Sequence, residues 1–362
     1  MSKRFKTLLG GGLVLLLSLV AINHAGAQTC VQPPPGLVSW WPGDGNADDI
    51  QNGNDGTVLG GTFFTPAKVG EGFTFDSDDD RVTIPHNANL NVNSPGFTAE
   101  LWMKGIKNQP QSLYLVVDKS HGFVDNTGWV FQGVSATGEL FFGIGAGGGF
   151  PGVSSVVDVL DGNFHHIAGT WDGSLIQLYV DGVPQGSVPL TTPANNTRAV
   201  NIGFAWGGGS PQRFFRGIVD ELEIFNRALS AKEIAAIYNA GSAGKCKAIT
   251  VQIDVKPGSE PNCFNIDGHG VIPVAILGSA DLDVSDINTA TLSFGGLAVR
   301  VRAERGPQCS IEDSNGDQFL DLVCHFEDNP DNWVAGGDTA SLTGELLDGT
   351  PIEGTDSICI VP

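Results

Sequence analysis

Two Asp-Gly dipeptides, Asp172-Gly173 and Asp181-Gly182, bracket the hexapeptide Leu175-Ile-Gln-Leu-Tyr-Val180. Ile176, Leu178 and Val180 fall on one face of this segment, the two-residue period of a half-buried strand. An Asp-Gly pair between such runs marks a tight hairpin, because both turn residues can adopt positive φ. A chain that reverses this often builds antiparallel sheet. His165 to Trp171 reads as the preceding strand and Phe97 to Lys104 as another. The 50 glycines and 20 prolines among 362 residues point the same way. That share exceeds the roughly 12% of ordinary chains and excludes a long helical bundle. The expected fold class is all-β, an antiparallel β-sandwich followed by a second, smaller β-sandwich.

The N-terminus has the pattern of an export signal. Lys3, Arg4 and Lys6 precede the apolar run from Leu8 to Ile22, and Ala25-Gly26-Ala27 supplies a small-x-small cleavage pattern. The run is short for a membrane span, so residues 1–27 are expected to be removed and Gln28 to begin the mature protein. The alternative is a retained anchor. Six cysteines follow, Cys30, Cys246, Cys263, Cys309, Cys324 and Cys359. An even number in an exported chain reads as three disulfides, and no C-x-x-C pair suggests a metal knot. The address is therefore secreted, periplasmic or cell-surface. The chain has 40 acidic and 19 basic residues, a formal charge of −21. Such a chain repels phosphate backbones and anionic membranes, which argues against nucleic acid as a partner. A hydrophobic fraction of 41% suffices for a packed core.

Ser230-Ala-Lys-Glu233 is a capping box, and it predicts one short helix that Gly241 stops. A β-rich segment starts at Ala248, so the boundary is placed at 246/247. This gives a first domain over 28–246 and a second over 247–362. The second carries 19 acidic residues against 5 basic ones. Its strands are expected near 248–255, 271–277, 291–302, 319–326 and 340–347, with Asp348-Gly349 as a hairpin turn. If disulfides stay within domains, Cys30 pairs with Cys246, and three arrangements remain for the other four cysteines. Cys309 and Cys324 bracket an acidic loop that a bond would close, which leaves Cys263 with Cys359.

Several segments of the first domain resemble a known family in order along the chain. Gly36-Leu-Val-Ser-Trp-Trp-Pro-Gly-Asp-Gly-Asn46 is similar to its opening strand and loop. Phe73-Thr-Phe-Asp76, Val82-Thr-Ile-Pro85, Phe97-Thr-Ala-Glu-Leu-Trp-Met-Lys104 and Phe164-His-His-Ile-Ala-Gly-Thr-Trp-Asp-Gly173 resemble its internal motifs. Gly217-Ile-Val-Asp-Glu-Leu-Glu-Ile-Phe225 and the residues to Ser230 resemble its closing strand and helix. The family is the laminin-G-like, concanavalin-A-like jelly roll of secreted bacterial proteins, and the resemblance covers about residues 36–240. It implies two antiparallel sheets packed face to face, with the first and last strands side by side, as a Cys30–Cys246 bond requires. It does not imply one activity, since that fold carries lectins, adhesion modules and glycosidases. Val255-Lys-Pro-Gly258, Gly270-Val-Ile-Pro-Val-Ala-Ile-Leu-Gly278 and Leu347-Asp-Gly-Thr-Pro351 resemble a C-terminal β module of secreted bacterial proteins with no assigned activity.

The chemistry points first to calcium. Asp313-Ser-Asn-Gly-Asp-Gln-Phe-Leu-Asp321 puts oxygen side chains at positions 1, 3, 5 and 9: Asp313, Asn315, Asp317 and Asp321. The carbonyl of Phe319 stands at position 7 and Gly316 permits the bend. Calcium takes six to eight oxygens, and this spacing supplies most of them. The segment resembles the calcium loops of dockerins and thrombospondin-type repeats, although Cys324 stands where an EF-hand has Glu. An acidic surface turn is the alternative. A weaker site follows from the jelly-roll resemblance, which implies a structural calcium on Asp220 of the last strand with Asp44 or Asp48 as partner. The alternative there is a solvated loop and a hydrogen-bonded Asp220. Asp78-Asp79-Asp80 reads as a solvated turn. His165 and His166 are neighbours on a strand, point to opposite faces, and are not expected to share a metal ion.

No catalytic motif stands out. Glu221 and Glu223 share one face of their strand but lack the third acid of the laminarinase-type E-x-D-x-x-E pattern. The Gly-rich stretch 143–149 lacks the spacing of a nucleotide loop, and no nucleophile elbow, zinc-protease motif or P-loop is present. Trp40, Trp102 and Trp171 lie in strand motifs and are expected in the core. Trp129, Trp206 and Trp333 lie near loops, and Trp206, before three glycines, is the candidate exposed aromatic for stacking on a sugar. The sequence is therefore read as a secreted, non-catalytic, calcium- and disulfide-stabilised binding protein for a glycan or an extracellular or cell-surface protein. The alternatives are a glycoside-active enzyme and a purely structural envelope component.

Overall fold

In the computed structural model, residues 30–76, 79–120, 125–207, 210–265, 270–303, 305–333 and 339–361 are described. The expected export signal lies outside them. The hairpins read from the two Asp-Gly dipeptides are present. Asp161–Trp171, Leu175–Val180 and Val183–Pro189 pair antiparallel in succession, and Asp181 and Gly182 take φ values of 53° and 76° at the second turn.

These three strands open an eight-stranded sheet. It continues through Phe97–Ile106, Gly217–Phe225, Glu71–Phe75 and Phe63–Pro66, with Leu37–Trp41 also paired to Gly217–Phe225. A seven-stranded sheet packs on it, in the order Gly152–Ser154, Leu140–Ile144, Trp129–Val134, Leu113–Asp118, Val200–Ile202, Arg81–Ile84 and Thr57–Leu59. The core fills the space between them. On Phe97–Ile106 the alternate residues Phe97, Ala99, Leu101 and Met103 enter it, facing residues such as Phe131, Phe142, Val82 and Ile202. Gly169 faces Phe142 of the other sheet, and a Cβ there would stand 2.4 Å from its ring. The all-β sandwich is thus the observed fold, built by period-two alternation on both sheets.

The outer face of the larger sheet is also covered. The helix Ala231–Ala240 starts at Ser230, whose side chain accepts from Glu233 N while Glu233 reaches back to the cap. Ile234 and Ile237 bury against Ala168, Tyr179, Phe225 and Leu229. Trp40 and Trp102 are buried as expected, in this outer layer, while Trp41 enters the central core. Trp171 is central as expected. Trp129, placed near a loop from sequence, is fully buried in the core and donates its indole N–H to Leu90 O. Asp80 also departs from the solvated turn expected of it. It is buried, and its two oxygens accept from Gly61 N and Asp76 N. Asp78 lies outside the described residues.

The second module packs a five-stranded sheet against a four-stranded one around Val255, Val274, Ile276, Phe294, Phe326 and Leu342. Asp348-Gly349 turns between Thr339–Glu345 and Pro351–Ser357. The long strand expected over 291–302 is broken into two-residue pieces, because Gly295 and Gly296 take φ values of 56° and 83° and reverse the chain. Strands at Cys309–Glu312, Pro351–Ser357 and Cys359–Val361 were not anticipated. The three disulfides join Cys30 to Cys246, Cys263 to Cys359 and Cys309 to Cys324. Among the described residues no helix is long and apolar enough to cross a membrane.

Replacing Ser230 with Ala removes the oxygen that satisfies the first helical amides. It should cost about 1 kcal/mol in denaturant unfolding, as N-cap losses do. An unchanged midpoint would show that burial of Ile234 and Ile237 holds the helix without its cap.

Candidate functional site

The outer face of the seven-stranded sheet carries a cleft of about 680 Å³. With Val82, Ile84, Val200 and Ile202 inside, alternation turns Thr83 and Asn201 outward. Thr83 Oγ1 donates to Asn201 Oδ1 across the strand pair at 3.4 Å. A loop at 195–199 walls one side. The short hairpin Ala205–Gly207 with Ser210–Gln212 brings Trp206 to the rim, where it is 42% exposed and edge-on to Phe204.

The wall is held from below by Lys119, a fully buried lysine. Its Nζ donates to Arg198 O at 3.0 Å and Asn196 Oδ1 at 3.3 Å, and lies 3.4 Å from His86 Nδ1. Burial lowers its pKa to about 8. Asn196 also donates to Lys119 O and Thr127 Oγ1. Asn195 clamps Val92 through both ends of its amide. Under the floor, the buried Asp118 accepts from Ser120 N and Ser120 Oγ, and burial raises its pKa despite these bonds. At the mouth, Arg198 and Asp125 form an exposed pair at 3.4 Å.

Acidic groups gather instead on the outer face of the larger sheet. A bulge between Asp220 and Glu223 puts Glu221 at φ 54°. The extra residue lets Val219 and Leu222 both enter the core. The segment Lys245–Lys247, pinned by the Cys30–Cys246 bond, crosses this face. Lys245 Nζ lies 3.2 Å from Glu100 and 2.9 Å from Glu223, with all three side chains buried. Lys247 Nζ lies 2.9 Å from Glu221 Oε1 and bonds Asp44 Oδ2 at 2.6 Å. Trp40 donates to Glu221 Oε2 at 2.9 Å, and both ammonium groups stand 5.7 Å from its ring centre.

Burial alone would raise Glu100, but Lys245 and then His166 overcome it and hold it at about 2. Burial, with repulsion from Glu100 and Glu221, drives Glu223 the other way despite Lys245. The same ammonium thus stands beside one carboxyl whose pKa is driven down and one whose pKa is driven up. Burial, then the neighbouring Glu221, pushes Asp220 up to about 8. Glu221 and Glu223, weighed above as a catalytic pair, are sealed and lysine-bound.

The weaker calcium site lies at the edge of this network. Asp220 Oδ2 accepts from Lys68 N and Val69 N, both at 2.9 Å, while its buried Oδ1 has no hydrogen-bond partner. Asp44 accepts from Glu71 N and is paired with Lys247, and Asp48 is exposed. Lys247 thus engages Asp44, while Asp220 Oδ1 stays buried without a hydrogen-bond partner. Asp49, another acid of this loop, organises it by accepting from Trp40 N, Gln51 N and Asn54 N. His166 meets Glu100 at 3.2 Å, whereas His165 bonds Asp181 and Asp161, so the two histidines separate as expected.

In the second module Asp313, Asn315 and Asp317 share the hairpin turn closed by Cys309–Cys324. Asp313 accepts from the amides of Gly316, Asp317 and Gln318, and Asn315 Nδ2 donates to Asp317 Oδ2 at 2.9 Å. Phe319 is exposed beside them. Asp321 is buried beneath the same turn, with Oδ1 on Gly278 N and Oδ2 on Ser314 N and Oγ. Among the described residues no three His, Cys, Asp or Glu side chains are grouped to hold a metal by themselves. The other aromatic candidate, Trp333, packs against Phe264 and Phe294.

Residues 76–235 match the model of the family Laminin_G_3, described as the concanavalin A-like lectin/glucanases superfamily. Among solved structures, domain 4 of the extracellular arabinanase AbnA from Geobacillus stearothermophilus, in complex with arabinotriose, is similar at 17% identity. The TM-score is 0.45, over 55% of this chain and 96% of that one. Trypanosoma rangeli sialidase is similar at 19% identity and TM-score 0.44, over 57% of this chain and 33% of that one. Botulinum neurotoxin type C, in a structure on its interaction with two ganglioside molecules, is similar at 12% identity and TM-score 0.47. That likeness spans 89% of this chain and 98% of that one. No curated protein matches the sequence. At such identities the likeness concerns the fold alone.

The lysine strap makes a sharp prediction for unfolding. Lys245→Met strands two buried carboxyls and should cost about 3–5 kcal/mol in chemical denaturation. Glu223→Gln keeps the side chain's shape, and because burial and acidic neighbours already drive that carboxyl's pKa up, it should cost less than Lys245→Met. Equal losses in both variants would contradict this.

Proposed function

We propose that this protein is an exported, non-catalytic glycan-binding protein, and that the cleft beneath Trp206 is its binding site. The observation that carries the reading is an exposed indole at the rim of a cleft whose amide and hydroxyl side chains are already held by internal hydrogen bonds. A sugar ring offers an apolar face that stacks on an indole and hydroxyls that bond to fixed polar groups. Prior ordering lowers the entropy lost on binding. The carboxylates of the larger sheet support a non-catalytic reading, since lysines and burial keep them from a substrate. Three disulfides fit an oxidising, extracellular setting.

Purified protein should be retarded in gels containing at least one polysaccharide without releasing reducing sugar. Trp206→Ala should weaken that binding at least tenfold, about 1.4 kcal/mol. Sustained sugar release would overturn the non-enzyme reading, and an inert result on a broad panel would favour a structural role.

For the second module we propose calcium binding by Asp313, Asn315, Asp317 and the Phe319 carbonyl. The contact between Asn315 and Asp317 shows that these side chains already converge. Waters would complete the shell, as calcium allows. Binding to the native state alone adds about 2.7 kcal/mol at a hundredfold excess over Kd. The full chain should melt several degrees higher in calcium than in chelator, and Asp317→Ala should erase most of that shift. Coincident curves would reduce the loop to an acidic turn.

A further inference from the structure

The polar groups of the cleft divide into those already committed and those left to a ligand. Asn195 spends both ends of its amide on Val92. Asn196 accepts from Lys119 and Arg198 N and donates to Lys119 O and Thr127. Thr127 Oγ1 donates in turn to Asp125 Oδ1 at 2.8 Å. Lys119, the second cation beside the cleft, is fully buried behind this wall, so an anion in the cleft cannot reach it. Facing a ligand are the Trp206 indole, the exposed Thr197 and the charged Arg198–Asp125 pair, whose side chains are 37% and 38% exposed. That pair sets a donor and an acceptor side by side with no net charge.

We infer that the cleft selects neutral sugars, with the Arg198–Asp125 pair reading a vicinal diol while the ring stacks on Trp206. The inference rests on the glycan reading above and narrows it. Of two adjacent hydroxyls, one donates to the Asp125 carboxylate and the other accepts from the Arg198 guanidinium, each through a charge-assisted hydrogen bond. A uronate, sialate or sulfate would bring its charge against Asp125, in a chain whose formal charge is −21. Among the described residues at the cleft, Lys119 is closed off behind the wall and Arg198 is already paired with Asp125. Discrimination therefore comes from a repulsive element as well as an attractive one.

The test is affinity electrophoresis of the full-length protein on two panels. The neutral panel is xyloglucan, galactomannan, arabinan and mixed-linkage β-glucan, and the anionic panel is polygalacturonate, alginate and chondroitin sulfate. At least one neutral polysaccharide should retard the protein, equally at low and at moderate sodium chloride. Periodate oxidation of that polysaccharide, which cleaves vicinal diols, should abolish retardation. Asp125→Asn and Arg198→Gln should each weaken it about tenfold with an unchanged melting curve, since both side chains are exposed. Binding confined to the anionic panel and falling with salt would overturn this inference and leave the glycan reading standing. Full affinity in both variants would also overturn it. No retardation on either panel would overturn both.

Discussion

Lys245 is the group on which the outer half of this structure depends. Its ammonium is buried between Glu100 and Glu223, on the strands Phe97–Ile106 and Gly217–Phe225 that lie side by side in the larger sheet. Burying a charge is tolerable only when it is paired and hydrogen-bonded. The two carboxyls that share this ammonium are pushed in opposite directions, Glu100 down by Lys245 and His166 and Glu223 up by burial and its acidic neighbours. The neighbouring Cys246 ties this strap to Cys30, and Val31 pairs with Lys245 in parallel. Disulfide and ion cluster thus fasten both ends of the jelly roll to the same face.

The bulge at Glu221 makes the cluster possible. Without an extra residue, strict alternation would place Asp220 and Leu222 on one face, and burying Leu222 would drag Asp220 into the core. With it, Val219 and Leu222 stay inside while Asp220, Glu221 and Glu223 stay out, each with a different partner. Asp220 takes the amides of Lys68 and Val69, Glu221 takes Lys247 and Trp40, and Glu223 takes Lys245. A positive φ at a non-glycine residue is uncommon and costs energy, and here it sits where it reorders three acids.

The two outer faces of the sandwich consequently differ in kind. One is filled by a helix, a strap and self-neutralising charges, and presents little to solvent chemistry. The other is left open, with a tryptophan at its rim and a wall of satisfied amides. Lys119 orders the amides of that wall from inside, as the proposed binding role requires. The division of labour follows from where the lysines go: Lys245 and Lys247 close one face, whereas Lys119 stiffens the edge of the other without entering it.

Much of this was legible in the residues alone. The Asp-Gly turns, the alternation of Leu175–Val180, the Ser230 capping box and the cysteine pairing all depend on local geometry or on simple pairing limits within domains. Trp206 was legible as exposed because glycines follow it and no strand pattern surrounds it. The identity of the core tryptophans was not, since Trp40 and Trp41 differ only in which face of one strand they occupy, and both faces of that strand are buried. Nor was Asp80, whose neighbours suggest solvent while its partners Gly61 and Asp76 satisfy it indoors. The local pattern therefore determined strands, turns, helix and covalent links. Tertiary structure alone decided which charges are buried together and which polar side chains line one cleft. Those groups lie far apart along the chain, from Thr83 to Trp206 and from Asp44 to Lys247. Their pairing energy exists only once the sheets have stacked and removed the water between them.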